Sequence, residues 1–238
     1  MRVQSYSVES FYRGSATQKL SELLMSDIES FVDEFRGTNE LLQSTKAGRV
    51  TPHILGTYLR SLYFLIQQTA IHLSRAADRA RSLGLIDLAN HFAAKSRDEA
   101  GHEHWAEADM KRLSEAFGIV VPVEPTPEMR SIVDANEQIV MNDPEAYLAY
   151  ILFAEYVTVV LGPEWLDALA KNCGISPSFV TVIEEHVELD KHHVLEGCHE
   201  IDTLVDPGRA DAMRQALRGM TNRFASFCDA LCHASIQM

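Results

Sequence analysis

The 238-residue chain has few of the residues that mark stapled, fibrous or low-complexity proteins. Its four cysteines, Cys173, Cys198, Cys228 and Cys232, lie late in the chain with no CxxC pair, so no disulfide framework is indicated. They read as reduced thiols of a cytoplasmic protein. Only 12 glycines and 8 prolines are present, which excludes collagen-like and disordered compositions. No run of lysine or arginine offsets a formal net charge of −13, which argues against nucleic acid or an anionic membrane as a partner. The first residues lack the apolar segment of a leader. The longest apolar run, Ala146 to Leu161, falls short of the about 20 residues that a bilayer requires, and it carries Glu155. Strand signals are nearly absent: apolar and polar residues rarely alternate, and no Asn-Gly or Asp-Gly turn joins two apolar runs.

What the chain does have is the helical period. Hydrophobic residues make up 46% of it, enough for one large core burying roughly 70–75% of the unfolded surface. The pattern predicts a helix from about Ala16 to Phe35 and a shorter one over Thr38 to Lys46. Thr51-Pro52 is an N-cap followed by proline at the first helical position, opening a long helix to about Leu83. A fourth helix is expected over Leu85 to Phe117, stopped by Gly118. VVPVEPTPEM, with three prolines, reads as a loop between two halves of the chain. Asp143-Pro144 caps a helix expected to be interrupted at Gly162-Pro163, with a short helix following to Lys171. Ser176-Pro177 and Asp206-Pro207-Gly208 introduce the last two. The fold expected is all-α, a single seven-to-eight-helix bundle over residues 1–238, with 1–14 as an N-terminal extension.

Three stretches depart from ordinary amphipathic helix. In RDEAGHEHWAE, Glu99 and His102 are three apart and face the same way on a helix, as an inward metal-ligand pair would. A solvated Glu–His pair is the simpler alternative, and Glu103 replaces Glu99 if the helix is rotated. Glu155 is the only acidic or basic residue from Ala146 to Leu161. Burying it unpaired would cost several kcal/mol, so it is protonated, paired from another helix or bound to a cation, unless it lies on an exposed edge. The third stretch is His186-x3-Asp190-x2-His193, whose side chains fall within about 60° of one another on a helix. A rise of about 10.5 Å separates the two histidines, too far for one ion, so two metals with Asp190 between them suit the ladder unless it is a surface stripe. Five of ten histidines fall in these two His-bearing windows. Imidazole and carboxylate donors without thiolate suit iron or manganese.

Glu99-x2-His102, then Glu155, then His186-x3-Asp190-x2-His193 in an all-helical chain resembles the haem-oxygenase-like di-iron oxidase and oxygenase family. Its superfamily includes the thiaminase-II-like (TenA) proteins, pyrroloquinoline-quinone synthase and the chlamydial protein associating with death domains. The resemblance spans roughly residues 15 to 235. It implies a central cavity and two non-haem irons, with manganese as an alternative metal, and a second iron held loosely. Glu99, His102, Glu155 and His186 would hold much of the first ion, and Asp190 and His193 mainly the second. It also implies an enzyme that uses dioxygen to oxidise a small organic substrate, as a homodimer. Tyr150 or Tyr156, and Tyr63, are cavity-lining candidates on helical phase. No haem is expected, because no histidine precedes His53 to serve as the proximal ligand on the first helix. Two alternatives remain: a metal-free TenA-like or quinone-synthase-like protein, for which Cys173 has no matching motif, and a non-enzymatic helical interaction protein.

Overall fold

The computed structural model describes residues 19–233; the expected extension over 1–14 and the expected start at Ala16 lie outside them. Nine α-helices are present among the described residues, and no strand. They are α1 (Leu20–Thr38), α2 (Glu40–Lys46), α3 (Pro52–Ser82), α4 (Ile86–Asp98), α5 (Glu103–Phe117), α6 (Pro127–Asn142), α7 (Pro144–Ala168), α8 (Thr181–Leu204) and α9 (Ala210–His233). This is the all-α bundle expected, and local chemistry sets most of its boundaries. Thr51 accepts a hydrogen bond from the Ile54 amide at 3.3 Å with Pro52 in the first turn, so α3 begins where its cap dictates. Asn39 does the same for α2, its side-chain oxygen accepting from Leu41 and Leu42.

Helix α7 is the axis of the molecule. Tyr147, Leu148, Ala149, Leu152 and Phe153 are buried on more than one side, so up to Gly162 the helix has no exposed face to display an amphipathic pattern. Together with its continuation to Cys173 it is long and apolar enough to cross a bilayer, yet 67% of its most apolar stretch is buried within the protein. That burial is the packing of a core helix. Its broadest contact is with α8; α9, α6, α1 and α3 complete the surround. Each large side chain removed from water there contributes about 1.5–3 kcal/mol, and edge-on contacts among Phe153, Phe31 and Phe224 tie α7 to α1 and α9.

Three elements differ from the sequence expectation. The helix expected over Leu85–Phe117 is two helices, α4 and α5, because Gly101 takes a left-handed conformation at φ +96° that only glycine adopts without strain. Residues 127–142 form α6, started by Thr126, whose hydroxyl accepts from Met129 at 3.2 Å, and by Pro127. The Thr-Pro pair is the same start signal as Thr51-Pro52, hidden in a proline-rich run that reads as loop. Finally, α7 does not stop at Gly162-Pro163 but runs through Pro163 to Ala168 and into a π-helical turn, Leu169–Cys173. Packing overrides the local break.

Gly162 shows how tightly α7 and α8 meet. A Cβ at this position would lie 2.7 Å from Val187 Cγ2 and 3.2 Å from Ile183 Cγ2, both in the helix that carries the histidine ladder. Gly162→Ala is expected to destabilise the fold by about 1–3 kcal/mol through overpacking, read as a lower urea midpoint at unchanged slope.

Candidate metal centre

The break between α4 and α5 is what aims the first pair of side chains. Glu99 ends α4 and His102 precedes α5, so the pair spans a turn and not a continuous helical face. Its side chains still meet, with His102 Nδ1 3.1 Å from Glu99 Oε2. Glu103, the alternative to Glu99, accepts instead from the Gly101 amide at 3.1 Å and so stabilises the turn. His102 stacks on Trp105 with ring centroids 4.4 Å apart, and His186 stands edge-on to both rings at 5.4 and 5.3 Å. Trp105 therefore fixes two imidazoles that come from different helices.

Helix α8 supplies the ladder. Its first turn is held by Asp109 of α5, a fully buried carboxylate that accepts from the Val182 amide and the Thr181 hydroxyl, both at 2.8 Å, and pairs with Arg112. One turn on, His186 Nδ1 lies 2.7 Å from the Val182 carbonyl. A carbonyl only accepts, so Nδ1 is the donor in this contact and Nε2 is the ring nitrogen left to face a metal. His193 Nδ1 is 3.3 Å from Asp190 Oδ1 and 3.9 Å from Glu155 Oε1.

The six residues form two groups, each with donor atoms within 4.8 Å of one another: Glu99, His102 and His186 in one, Glu155, Asp190 and His193 in the other. The ladder thus divides as its rise requires, with His186 in the first group and His193 in the second. Glu155 joins Asp190 and His193, not the first group to which the family resemblance assigned it. The geometry of α7 against α8 decides this. Glu99, Glu155 and Asp190 are 8%, 7% and 5% exposed, so every carboxylate of the two groups is buried.

Glu155 was expected to be protonated, paired from another helix or bound to a cation, and the pairing comes from α4. Lys95 Nζ lies 2.5 Å from its Oε1, and the lysine side chain is itself only 12% exposed. Lys95 is thus the direct partner of the Glu155 carboxylate, with His193 farther off at 3.9 Å. Burial lifts the Glu155 carboxyl to about 7, against the opposing pull of Lys95. Burial also disfavours the Lys95 ammonium, but the charge of Glu155, with Glu99 and Asp190 beyond it, outweighs that and holds the lysine above its ordinary value. Glu99 is drawn below the ordinary range: burial works against its ionised form, and the His102 hydrogen bond and Lys95 together prevail. The bond to Asp190 raises His193. Lys95 was missed in the sequence because it lies outside the His-rich windows. The signal available was its place one helical turn before Glu99, on the same face.

One cavity reaches both groups, lined by Glu99, Glu155, His186 and Asp190 on the polar side and by Leu62, Leu65, Ile66 and Thr69 of α3. A second, of about 130 Å³, shares Leu62, Leu65, Tyr150, Ala154, Thr158 and Ile183 with it and is otherwise almost wholly apolar. Of the tyrosines expected at the cavity, Tyr150 lines both. Tyr156 instead reaches Glu29 at 3.3 Å, and Tyr63 lies under the Arg60 guanidinium at 5.1 Å. Their helical phase was ambiguous because α3 and α7 each have several buried faces.

Comparison with solved structures defines the class of fold. The chain superposes on a domain of unknown function with a haem-oxygenase-like fold from Shewanella denitrificans at a TM-score of 0.80 and 17% identity, covering 92% of this chain and 94% of that one. A CADD-like protein of unknown function from Nostoc punctiforme gives 0.67 at 14% identity, over 92% and 96% of the two chains. A TenA homologue from Pseudomonas syringae pv. tomato gives 0.64 at 16%, over 94% and 99%. No protein-family profile and no curated protein matches the sequence. The protein has a haem-oxygenase-like fold, and at these identities the likeness concerns the fold alone.

Asp109 tests how the ladder is held. Asp109→Ala should cost about 2–3 kcal/mol by orphaning charge-assisted hydrogen bonds at the start of α8, with faster amide exchange confined at first to residues 181–186.

Proposed function

We propose that this protein is a non-haem iron oxidoreductase that uses dioxygen to oxidise a small organic molecule bound beside the metal centre. The observation that carries the reading is the donor set: two groups of carboxylate and imidazole side chains, with no thiolate, whose buried members Glu99, Glu155 and Asp190 line one cavity together with His186. Two histidines and one carboxylate with open positions are the donor type of non-haem ferrous oxygenases. Glu99, His102 and His186 would hold one ion, and Glu155, Asp190 and His193 a second. Ferrous iron held there would supply reducing electrons for dioxygen chemistry, and manganese would suit the same donors.

The residues around the centre have their own work. The Val182 carbonyl keeps the His186 proton on Nδ1 and presents Nε2, and Trp105 stops the His102 and His186 rings from turning. The three carboxylates offset metal charge that a cavity otherwise lined by leucine and isoleucine could not solvate. The adjoining apolar cavity, reached past Tyr150 and Ala154, gives an organic substrate a dry site and excludes water from the reacting atoms.

A second reading, a metal-free hydrolase, draws on the likeness to a TenA homologue. It requires a reactive thiolate. Cys228 lines the apolar cavity, but burial pushes its thiol well above the ordinary value, and Cys173 donates to the Thr45 carbonyl at 3.5 Å and lines neither cavity. The disposition of the thiols favours the iron reading.

Anaerobic loading with ferrous iron, followed by desalting and elemental analysis, discriminates the two. The wild type is expected to retain iron and to consume dioxygen when exposed to air. His102→Ala and His186→Ala should each weaken retention at least about tenfold. Equal iron in all three proteins would defeat the reading.

A further inference from the structure

Resting on the metal-centre reading, the structure supports one step beyond it: we infer that Lys95 is a built-in occupant of the second metal position. The chain would then bind one divalent ion tightly, at Glu99, His102 and His186, and a second only by displacing the lysine ammonium.

The geometry comes first. Lys95 projects from α4 one turn before Glu99, and its Nζ rests 2.5 Å from Oε1 of Glu155, a donor of the second group. With side-chain exposures of 12% and 8%, both partners are shut away from water. An ion approaching Glu155, Asp190 and His193 therefore meets a positive charge already seated on one of its three donors. The first group is not obstructed in this way: Glu99 and His102 contact each other, and the His186 ring is turned by its bond to the Val182 carbonyl.

Charge balance favours the same arrangement. Ionised, as metal ligation requires, Glu99, Glu155 and Asp190 carry three negative charges. One divalent ion and one ammonium carry three positive charges, so the singly loaded site is neutral. Adding a second divalent ion with Lys95 in place leaves two uncompensated positive charges in an apolar interior. That state is strongly disfavoured, and removing the ammonium or swinging it away halves the excess. The donor sets also differ. The first group, with two imidazoles and one carboxylate, gives up little by holding a single ion, whereas the second, with two carboxylates, needs a cation at all times and has one in Lys95. Lys95 thus serves as a positioning and loading residue. It keeps the Glu155 and Asp190 side of the centre folded and neutral before the second ion arrives.

The test uses Mn²⁺, whose binding can be followed without dioxygen chemistry. Calorimetric titration and elemental analysis should give one tightly held ion per wild-type chain. Lys95→Met, which keeps an unbranched stem of four heavy atoms but not the ammonium, should take two, with second-ion affinity raised about tenfold or more, while Lys95→Arg should remain at one. Metal should also raise the melting temperature of Lys95→Met by more than that of the wild type, since the second ion replaces a lost cation. Anomalous scattering from Mn²⁺-loaded wild-type crystals gives an answer even if Lys95→Met does not fold. One peak among Glu99, His102 and His186, with Lys95 still on Glu155, supports the inference, and two full peaks overturn it. Two equivalent ions in the wild type, or one ion in both the wild type and Lys95→Met, would overturn the role of Lys95 and leave the metal centre standing. No Mn²⁺ and no ferrous iron in any of the proteins would overturn both.

Discussion

The three buried carboxylates of the two donor groups must be answered by positive charge, and that requirement organises the molecule from the inside. Glu155 sets the problem most sharply, because α7 surrounds it with side chains that can neither solvate nor hydrogen-bond it. An uncompensated carboxylate at such a depth costs several kcal/mol, comparable with the whole net stability of a domain. The chain resolves this by bringing α4 and α8 against α7, so that Lys95, His193 and the first imidazole pair converge on the same interior space. Packing and electrostatics then support one another: the helices that complete the core also deliver the cations and lone pairs.

The delivery depends on irregularities as much as on regular helix. Gly101 breaks what would be one long rod, and the turn it permits lets Glu99 and His102 approach α8 from the end of one helix and the start of the next. Gly162 lets the backbone of α7 come close to Val187 and Ile183, which sets the distance between Glu155 and the ladder. Asp109 anchors the first turn of α8, and the Val182 carbonyl in that turn orients His186. Each of these is a small local device, and together they gather carboxylates and imidazoles from a helical bundle into two groups of three.

Much of this was legible in the residues. The Thr-Pro and Asp-Pro helix starts, the absence of strand patterning and the central apolar helix gave the fold class and most boundaries. The three motifs named the six side chains that gather in the two groups of three. Illegible were the features whose signal is not local. Helix α6 lay behind prolines that are equally compatible with a turn and with the first turn of a helix. The continuation through Pro163 depended on burial that a local break signal cannot report. Lys95 looked like any helix lysine, since nothing in its neighbourhood distinguishes a solvated ammonium from one aimed at a carboxylate sixty residues away. The phases of Tyr63 and Tyr156 failed for a related reason, because a helix buried on several sides has no single inward face.

By itself, the sequence determined which donors exist and in what order. Helical spacing is a short-range property, so His186, Asp190 and His193 were bound to share a face once α8 folded, and Glu99 and His102, three residues apart, could not end far from each other even across a turn. Only the tertiary structure decided which helix faces which: that Glu155 joins Asp190 and His193, that Trp105 braces two imidazoles, and that Lys95 meets Glu155. Those choices come from close packing of whole helices, whose energy is spread over many apolar contacts and is written at no single position of the chain.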